Sequence, residues 1–254
     1  MIAKPHVQES THWYTKDGKP MYTVPDAKGQ PRAATLRDAR KLDLVPSVTS
    51  IIKVAASPAL EIWKQKQVLM AALTLPRREG EPEDAWIERI MQDSKEEGRK
   101  AADAGTQMHA DIQGYFEGDH SLIRHQHVQA TLDAITGATN RFHFDCELSF
   151  SHDVGGLGYG GKIDLISTDR HVLLDVKTKE FSDPSKPLHY DEHAIQLAAY
   201  KKGIAFADTR CYNVFVSRST PGLVVIKEWT NDEIERGFRM FSALLSYWYE
   251  TKQL

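Results

Sequence analysis

"HVLLDVKTKE", residues 171–180, closes an apolar run with an acid, one spacer and a base: Asp175, Val176 and Lys177. Charge is costly to desolvate, so an acid at the end of a buried strand needs a compensating partner. The preceding stretch supplies a second acid. "GGKIDLI", residues 160–166, is followed by "STDR" and then by the quoted run. Read as an antiparallel hairpin with a four-residue loop at Thr168–His171, it pairs Ser167 with Val172, and counting back sets Asp164 opposite Asp175. Two carboxylates directly across a sheet repel each other. A divalent cation between them resolves the repulsion, and hard oxygen ligands suit Mg²⁺ or Mn²⁺. Lys177 projects from the same face as Asp175, about 7 Å along the strand. Its ammonium is placed to orient a water or to stabilise charge on a phosphate. If the loop is not four residues long, the same side chains read as a surface ion pair at the open end of a hairpin.

The bulk properties narrow the classes. The chain has 254 residues, 41% hydrophobic and 26% charged, with a net charge of −3. That is an ordinary globular composition with enough length for one large domain or one domain with an added lobe. A weakly acidic chain contacts nucleic acid only through a local patch. The first residues, "MIAKPHVQES", hold no apolar core of signal-peptide length, and no apolar run approaches a membrane span. Cys146 and Cys211 read as free thiols in a reducing compartment, so the expected location is cytoplasmic, without membrane. Two cysteines cannot supply the four thiolates of an iron–sulfur cluster.

Outward from the hairpin, the first half reads as mostly helical. "HWYTKDGKPMYTV" (12–24) predicts a hairpin around Asp17-Gly18, and "DAKGQPRAA" a loop. Ser47 predicts an N-cap for a short helix, and Ser57 with Pro58 the start of the next. A long helical pattern runs from Glu83 to Phe116, with a possible break at Gly98 or Gly105, and a second helix over 121–138. The second half alternates. In "RFHFDCELSF", Phe142, Phe144, Cys146, Leu148 and Phe150 are expected to face one way and Glu147 the other. "EHAIQLAAYKKGIAF" predicts a helix, "CYNVFVSR" and "LVVIKEW" a hairpin, and the last stretch a closing helix capped at Thr230 or Asn231. Helices, then strands, then helix–strand–strand–helix imply an α/β or α+β sheet wrapped by helices.

Several side chains carry two readings. Gln196 and Tyr200, four apart, share one helix face, which by itself describes an ordinary amphipathic helix. His109 lies on the apolar stripe of the long helix, where a histidine usually serves the core. Glu147 sits on the polar side of its strand. Ser47 and Thr49 either bind a backbone phosphate at a helix N-terminus or only cap it. His120, His125 and His127 resemble a zinc cluster only in composition; no acid or cysteine completes it, and no site is assigned. His189 and His193 begin the helix of Gln196. Lys64, Lys66, Arg77, Arg78, Lys95, Arg99 and Lys100 concentrate in the helical half, with Trp63 and Trp86 available for stacking.

Taken in order, Gly-x-Ile-Asp ending at Asp164, Asp175-x-Lys177 and Gln196-x-x-x-Tyr200 resemble the PD-(D/E)XK nuclease superfamily, in its RecB-type exonuclease branch. "GTQMH" (105–109) looks like that branch's Gly-x-x-x-His element, and Glu147 falls where the family carries a further acid. "PSVTSII" and "SPALEIWKQKQ" are similar to the N-terminal part of mitochondrial genome maintenance exonucleases. Ile163 stands where the superfamily's name has Pro. The resemblance implies an α/β fold, a restriction-endonuclease-like central mixed β-sheet flanked by helices with a helical N-terminal lobe. Residues 1–140 would form the hairpin and DNA-binding lobe and residues 141–254 the nuclease core, integrated through the helix of His109.

It also implies that Asp164, Asp175, the Val176 carbonyl and His109 surround Mg²⁺ or Mn²⁺, with Glu147 nearby. Lys177 would position water and stabilise the phosphate, and Gln196 and Tyr200 would hold nucleotide and catalytic strand. The expected activity is a metal-dependent DNA exonuclease acting on single-stranded ends. The alternatives are a structure-specific or restriction-like endonuclease, and a catalytically idle DNA-end-binding protein.

Overall fold

The computed structural model describes residues 12–55 and 58–254. In chain order the elements are β1 (Trp13–Tyr14), β2 (Thr23–Pro25), β3 (Pro31–Ala33), α1 (Leu36–Leu42), β4 (Val45–Pro46), α2 (Val48–Ile52), α3 (Pro58–Thr74) and α4 (Glu83–Phe116). A 3₁₀ turn (His120–Arg124) leads into α5 (Gln126–Thr139), then β5 (Phe144–Val154), β6 (Leu157–Ser167) and β7 (Val172–Lys179). The chain closes with α6 (Asp191–Ile204), β8 (Arg210–Ser217), β9 (Val224–Trp229) and α7 (Asn231–Lys252). The expected cap at Ser57 lies outside the described residues.

One five-stranded mixed sheet, in the order β5-β6-β7-β8-β9, organises the molecule. All neighbours are antiparallel except β7 and β8, which run parallel and are joined through α6. Parallel neighbours need a crossover, and a helix supplies it. The fold is therefore α/β, a mixed sheet between helices. On one face α4 and α5 pack against Phe144, Leu165, Val172, Leu174, Val176 and the even-numbered side chains of β8. On the other, α2, α6, α7 and the N-terminal strands surround Ile163, Ile166, Leu173 and Cys211. Trp13, Val48 and Ile51 belong to this second core together with Phe241 and Trp248 near the C-terminus.

Three local expectations change. Residues 23–33 are a small hairpin, β2 with β3, rather than a loop; the Asp26 carboxylate accepts from the Lys28 and Gln30 amides and holds the turn. The helix expected over 121–138 begins only at Gln126, because the 3₁₀ turn comes first. α4 continues through Gly98 and Gly105 without a break over 34 residues.

The strict alternation expected of β5 also fails, at Glu147. Phe144 and Cys146 pack on the α4 side, whereas Leu148 and Phe150 pack on the α6 side. Glu147 has φ of 55°, a left-handed conformation that breaks the two-residue period without adding a residue. The register with β6 runs unchanged on both sides, from Cys146 opposite Leu165 to Leu148 opposite Ile163. β6 switches at the same level: Leu165 faces α4, but Ile163 faces α6. The residue at that switch is Asp164.

α3 packs along the first part of α4 as a helical hairpin. Its turn is held by Trp86 Nε1, which donates to the Leu75 carbonyl at 2.8 Å, and by Arg89, which pairs with Glu81 and donates to the Pro76 carbonyl. Trp63 lies over Gly98. Ile62, Leu69, Met70 and Leu73 remain exposed on α3.

Candidate active site

The hairpin register is the one that loop length predicts. Leu165 pairs with Leu174 and Ile166 with Leu173, so the next step brings Asp164 level with Asp175. The ladder ends there. Instead of continuing it, the Val176 amide donates to Asp164 Oδ2 at 2.8 Å. The carboxylate thereby replaces a backbone acceptor where the strands part.

Asp175 is fully buried. Its Oδ1 accepts from Lys177 Nζ and from Gln196 Nε2, both at 2.8 Å, and its Oδ2 accepts from Asn213 Nδ2 at 2.7 Å. Gln196 spends its whole amide inside the site. Nε2 also donates to the Tyr200 hydroxyl at 2.9 Å, and Oε1 accepts from Lys177 Nζ at 3.1 Å. The four-residue spacing on α6 thus lays one continuous network against β7.

His109 reaches the same place from the opposite face, with Nε2 3.1 Å from Asp164 Oδ2. Gly105, one helical turn earlier, explains how α4 comes so close. A Cβ at that position would collide with the Thr178 hydroxyl of β7. Gly161 has a matching reason, since a Cβ there would lie 2.7–2.8 Å from the rings of Phe150 and Tyr200. Both glycines permit close approach of neighbouring layers.

Electrostatics separates the two acids. Burial pushes Asp175 up to about 6, with the Asp164 charge adding to the rise and Lys177 opposing it. Burial pushes Asp164 up as well. There the His109 hydrogen bond and charge, Lys177 and the Val176 amide outweigh it, and the group lies below the usual carboxylate range. The bond to Asp164 raises His109 above the ordinary imidazole value against the cost of burial. Lys177 is also raised, because the charges of Asp175 and Asp164 outweigh desolvation. Burial, followed by the two carboxylate charges, holds the Tyr200 phenol well above its usual range.

Asp164, Asp175, Lys177, His109, Gln196 and Tyr200 therefore converge. Val176 contributes its backbone to the same strand. Glu147 is level with Asp164 in the register, but its carboxylate forms an ion pair with Lys162 on β6. Ser47 and Thr49 lie on the α2 side. Ser47 is buried, and its hydroxyl accepts from the Ser50 amide as the N-cap of α2; Thr49, 3.2 Å away between hydroxyls, is half-buried.

Sequence reasoning missed Asn213. It pairs with Asp175 across the parallel ladder, and its Oδ1 accepts from Trp229 Nε1 at 2.8 Å. The signal was present: an amide inside the apolar run "CYNVFV" needs a buried partner as much as Asp175 does. Contrary to the sequence expectation, an acid does complete the histidine cluster: Asp111 of α4 lies against His125 and His127.

The donor set around Asp164 suits a hard cation. Two carboxylates at one level share a single ammonium and one imidazole. Both donors to Asp164 meet Oδ2, leaving Oδ1 for a further partner.

No protein-family model matches the chain, and no curated protein matches it. Among solved structures, a chain from Eubacterium rectale described as a "putative exonuclease" is 11% identical, over 59% of this chain and 68% of its own, with a TM-score of 0.43. The structure of SSO0001 is 19% identical over 44% of this chain and 54% of its own, with a TM-score of 0.28. Among the described residues, no helix is long and apolar enough to cross a membrane.

Proposed function

We propose that this protein is a metal-dependent DNA exonuclease that hydrolyses phosphodiester bonds at single-stranded ends. One observation carries the reading: Asp164 and Asp175 stand level where β6 and β7 part, with Lys177 Nζ 2.8 Å from Asp175. A surface ion pair would not explain a fully buried Asp175 tied into three separate side chains. The resemblance of the Asp164, Asp175-x-Lys177 and Gln196-x-x-x-Tyr200 series to the RecB-type branch agrees with this reading.

In this reading Asp164, Asp175 and the Val176 carbonyl hold Mg²⁺ or Mn²⁺, with His109 beside them. A cation held there would neutralise phosphodiester charge and make a water more acidic. Lys177 is half-buried beside Asp175, so its ammonium acts on a phosphate oxygen that gains charge during attack. His109, hydrogen-bonded to Asp164, closes the site from the α4 side. Gln196 and Tyr200 are buried and engaged with each other and with Asp175, so they hold the catalytic strand rather than meet substrate directly. Glu147 acts from the neighbouring strand once Lys162 releases it. Of Ser47 and Thr49, Thr49 is the phosphate contact, because the Ser47 hydroxyl is committed to its helix. Residues 1–140 provide the DNA-binding lobe and residues 141–254 the nuclease core. The exposed apolar and basic side chains of α3 give a sequence-tolerant surface for a single strand.

The test compares linear single-stranded DNA with a covalently closed single-stranded circle in Mg²⁺, for wild type and Asp164→Ala. The linear strand should be degraded and the circle spared by wild type alone. Equal loss of both substrates would assign an endonuclease. Tight binding to DNA ends with no cleavage would assign an idle end-binding protein.

A further inference from the structure

Asp111 lies two residues beyond His109, so about 200° around α4, and it points away from the acidic site. It is a buried carboxylate, only 8% exposed. Buried acids need a cation or a full set of donors. Gln107, one turn earlier, supplies one donor: its Nε2 meets Asp111 Oδ1 at 2.8 Å. Oδ2 instead faces two imidazoles from the corner between the 3₁₀ turn and α5. His127 Nε2 is 3.0 Å away and His125 Nδ1 4.0 Å.

The first of these contacts is near enough for a hydrogen bond yet badly aimed for one. His127 Nε2 is buried without a hydrogen-bond partner. The carboxylate oxygen and the ring nitrogen sit side by side, an arrangement that a third atom bound by both would satisfy. The ligand atoms of all three residues lie within 4.8 Å of one another. In a tetrahedral site with bonds of about 2.0–2.1 Å, neighbouring ligands are roughly 3.3 Å apart. A small rotation of His125, which is the most exposed of the three, closes the remaining gap.

We propose that Asp111, His125 and His127 form a second metal site, separate from Asp164 and Asp175, that takes Zn²⁺ with water in the fourth position. Two imidazoles and one carboxylate suit a borderline transition metal and are poor ligands for Mg²⁺. Gln107 acts as the outer partner that orients the carboxylate, a recurring feature of such centres. The bound ion would staple α4 to the start of α5. The inference is independent of the nuclease reading, because none of its residues belongs to that site.

The test titrates the full-length protein with Zn²⁺ by calorimetry in excess Mg²⁺, which occupies hard-oxygen sites, and repeats it with Co²⁺ to read the visible d–d bands of a tetrahedral centre. Wild type should bind one equivalent and gain thermal stability. Asp111→Asn and His127→Ala should weaken binding about 100-fold or more, and Gln107→Ala about 10–100-fold. His125→Ala, at the most exposed ligand, keeps the test decisive if the buried variants fold poorly. Asp164→Asn should leave Zn²⁺ binding unchanged. The proposal is overturned if wild type binds no Zn²⁺ in excess Mg²⁺, if folded His125→Ala binds as wild type does, or if Asp164→Asn removes the site.

Discussion

Asn213 Nδ2 donates to Asp175 Oδ2 at 2.7 Å from the directly paired position of the next parallel strand. The same amide accepts from Trp229, so one neutral side chain links the buried acid to the β9 edge. Asn213→Ala should therefore cost about 1–3 kcal/mol for each buried group left without a partner. Urea unfolding measures it. A double-mutant cycle with Asp175→Asn should show coupling above about 0.5 kcal/mol. Strict additivity would mean that the two side chains do not act together.

The raised Asp175 gives a pH signature in the metal-free protein. Its folded value of about 6 lies above that of an unfolded aspartate, near 3.9. The native state therefore holds the proton more tightly. The stabilisation is complete below about pH 4 and is lost as pH rises through about 6. Asp164, shifted the other way, contributes in the opposite sense, so the informative quantity is the difference between wild type and Asp175→Asn. That difference should change between about pH 4 and 6 and be flat above. Mn²⁺ affinity should fall as pH drops below about 6, because the proton competes for the carboxylate. A flat Mn²⁺ affinity between pH 5 and 8 would remove Asp175 from the ligand set.

Lys177→Ala should lower turnover by about 10²–10³ while largely preserving metal affinity, since its charge acts on the developing phosphate charge. Single-turnover cleavage at saturating Mg²⁺, beside metal titration, separates the two effects. Weak metal binding with near-normal rate at saturation would make Lys177 a partner of Asp175 and nothing more.

Gly105→Ala places a methyl group against the Thr178 hydroxyl and should destabilise the fold by about 1–3 kcal/mol. Thr178→Ala removes the obstacle, so the double variant should recover most of the loss. Thermal unfolding of the three variants checks this. If the double variant stays as unstable as Gly105→Ala, the collision is elsewhere.

The paired acids were legible because hairpin arithmetic is rigid: once the loop is four residues, every cross-strand partner follows. The capping role of Ser47, the long helix and the closing α7 were legible for local reasons, in side-chain chemistry and periodicity. The face switch at Glu147 was not. A positive φ at a glutamate leaves no trace in a two-residue pattern, and the strand reads as regular on both sides. β2 and β3 were hidden because Pro25, Gly29 and Pro31 signal a loop, while Asp26 organises that loop into a turn. Asp111 and its histidines stayed separate because their meeting depends on how α5 returns to α4, a tertiary relation with no period in sequence.

α4 runs unbroken past its closest approach to the sheet. From Gly105 back to Glu83 it extends about 33 Å, and from Gly105 forward to His109 about 6 Å. A helix with no hinge tilts as a rod, so if it tilted about its contact with Thr178, Glu83 and His109 would lie at unequal distances from the pivot. A sideways excursion at the outer end reaches the imidazole reduced roughly fivefold, by that ratio of lengths. A tilt that moved the outer end of the helix by about 1 Å would therefore move the imidazole by only about 0.2 Å.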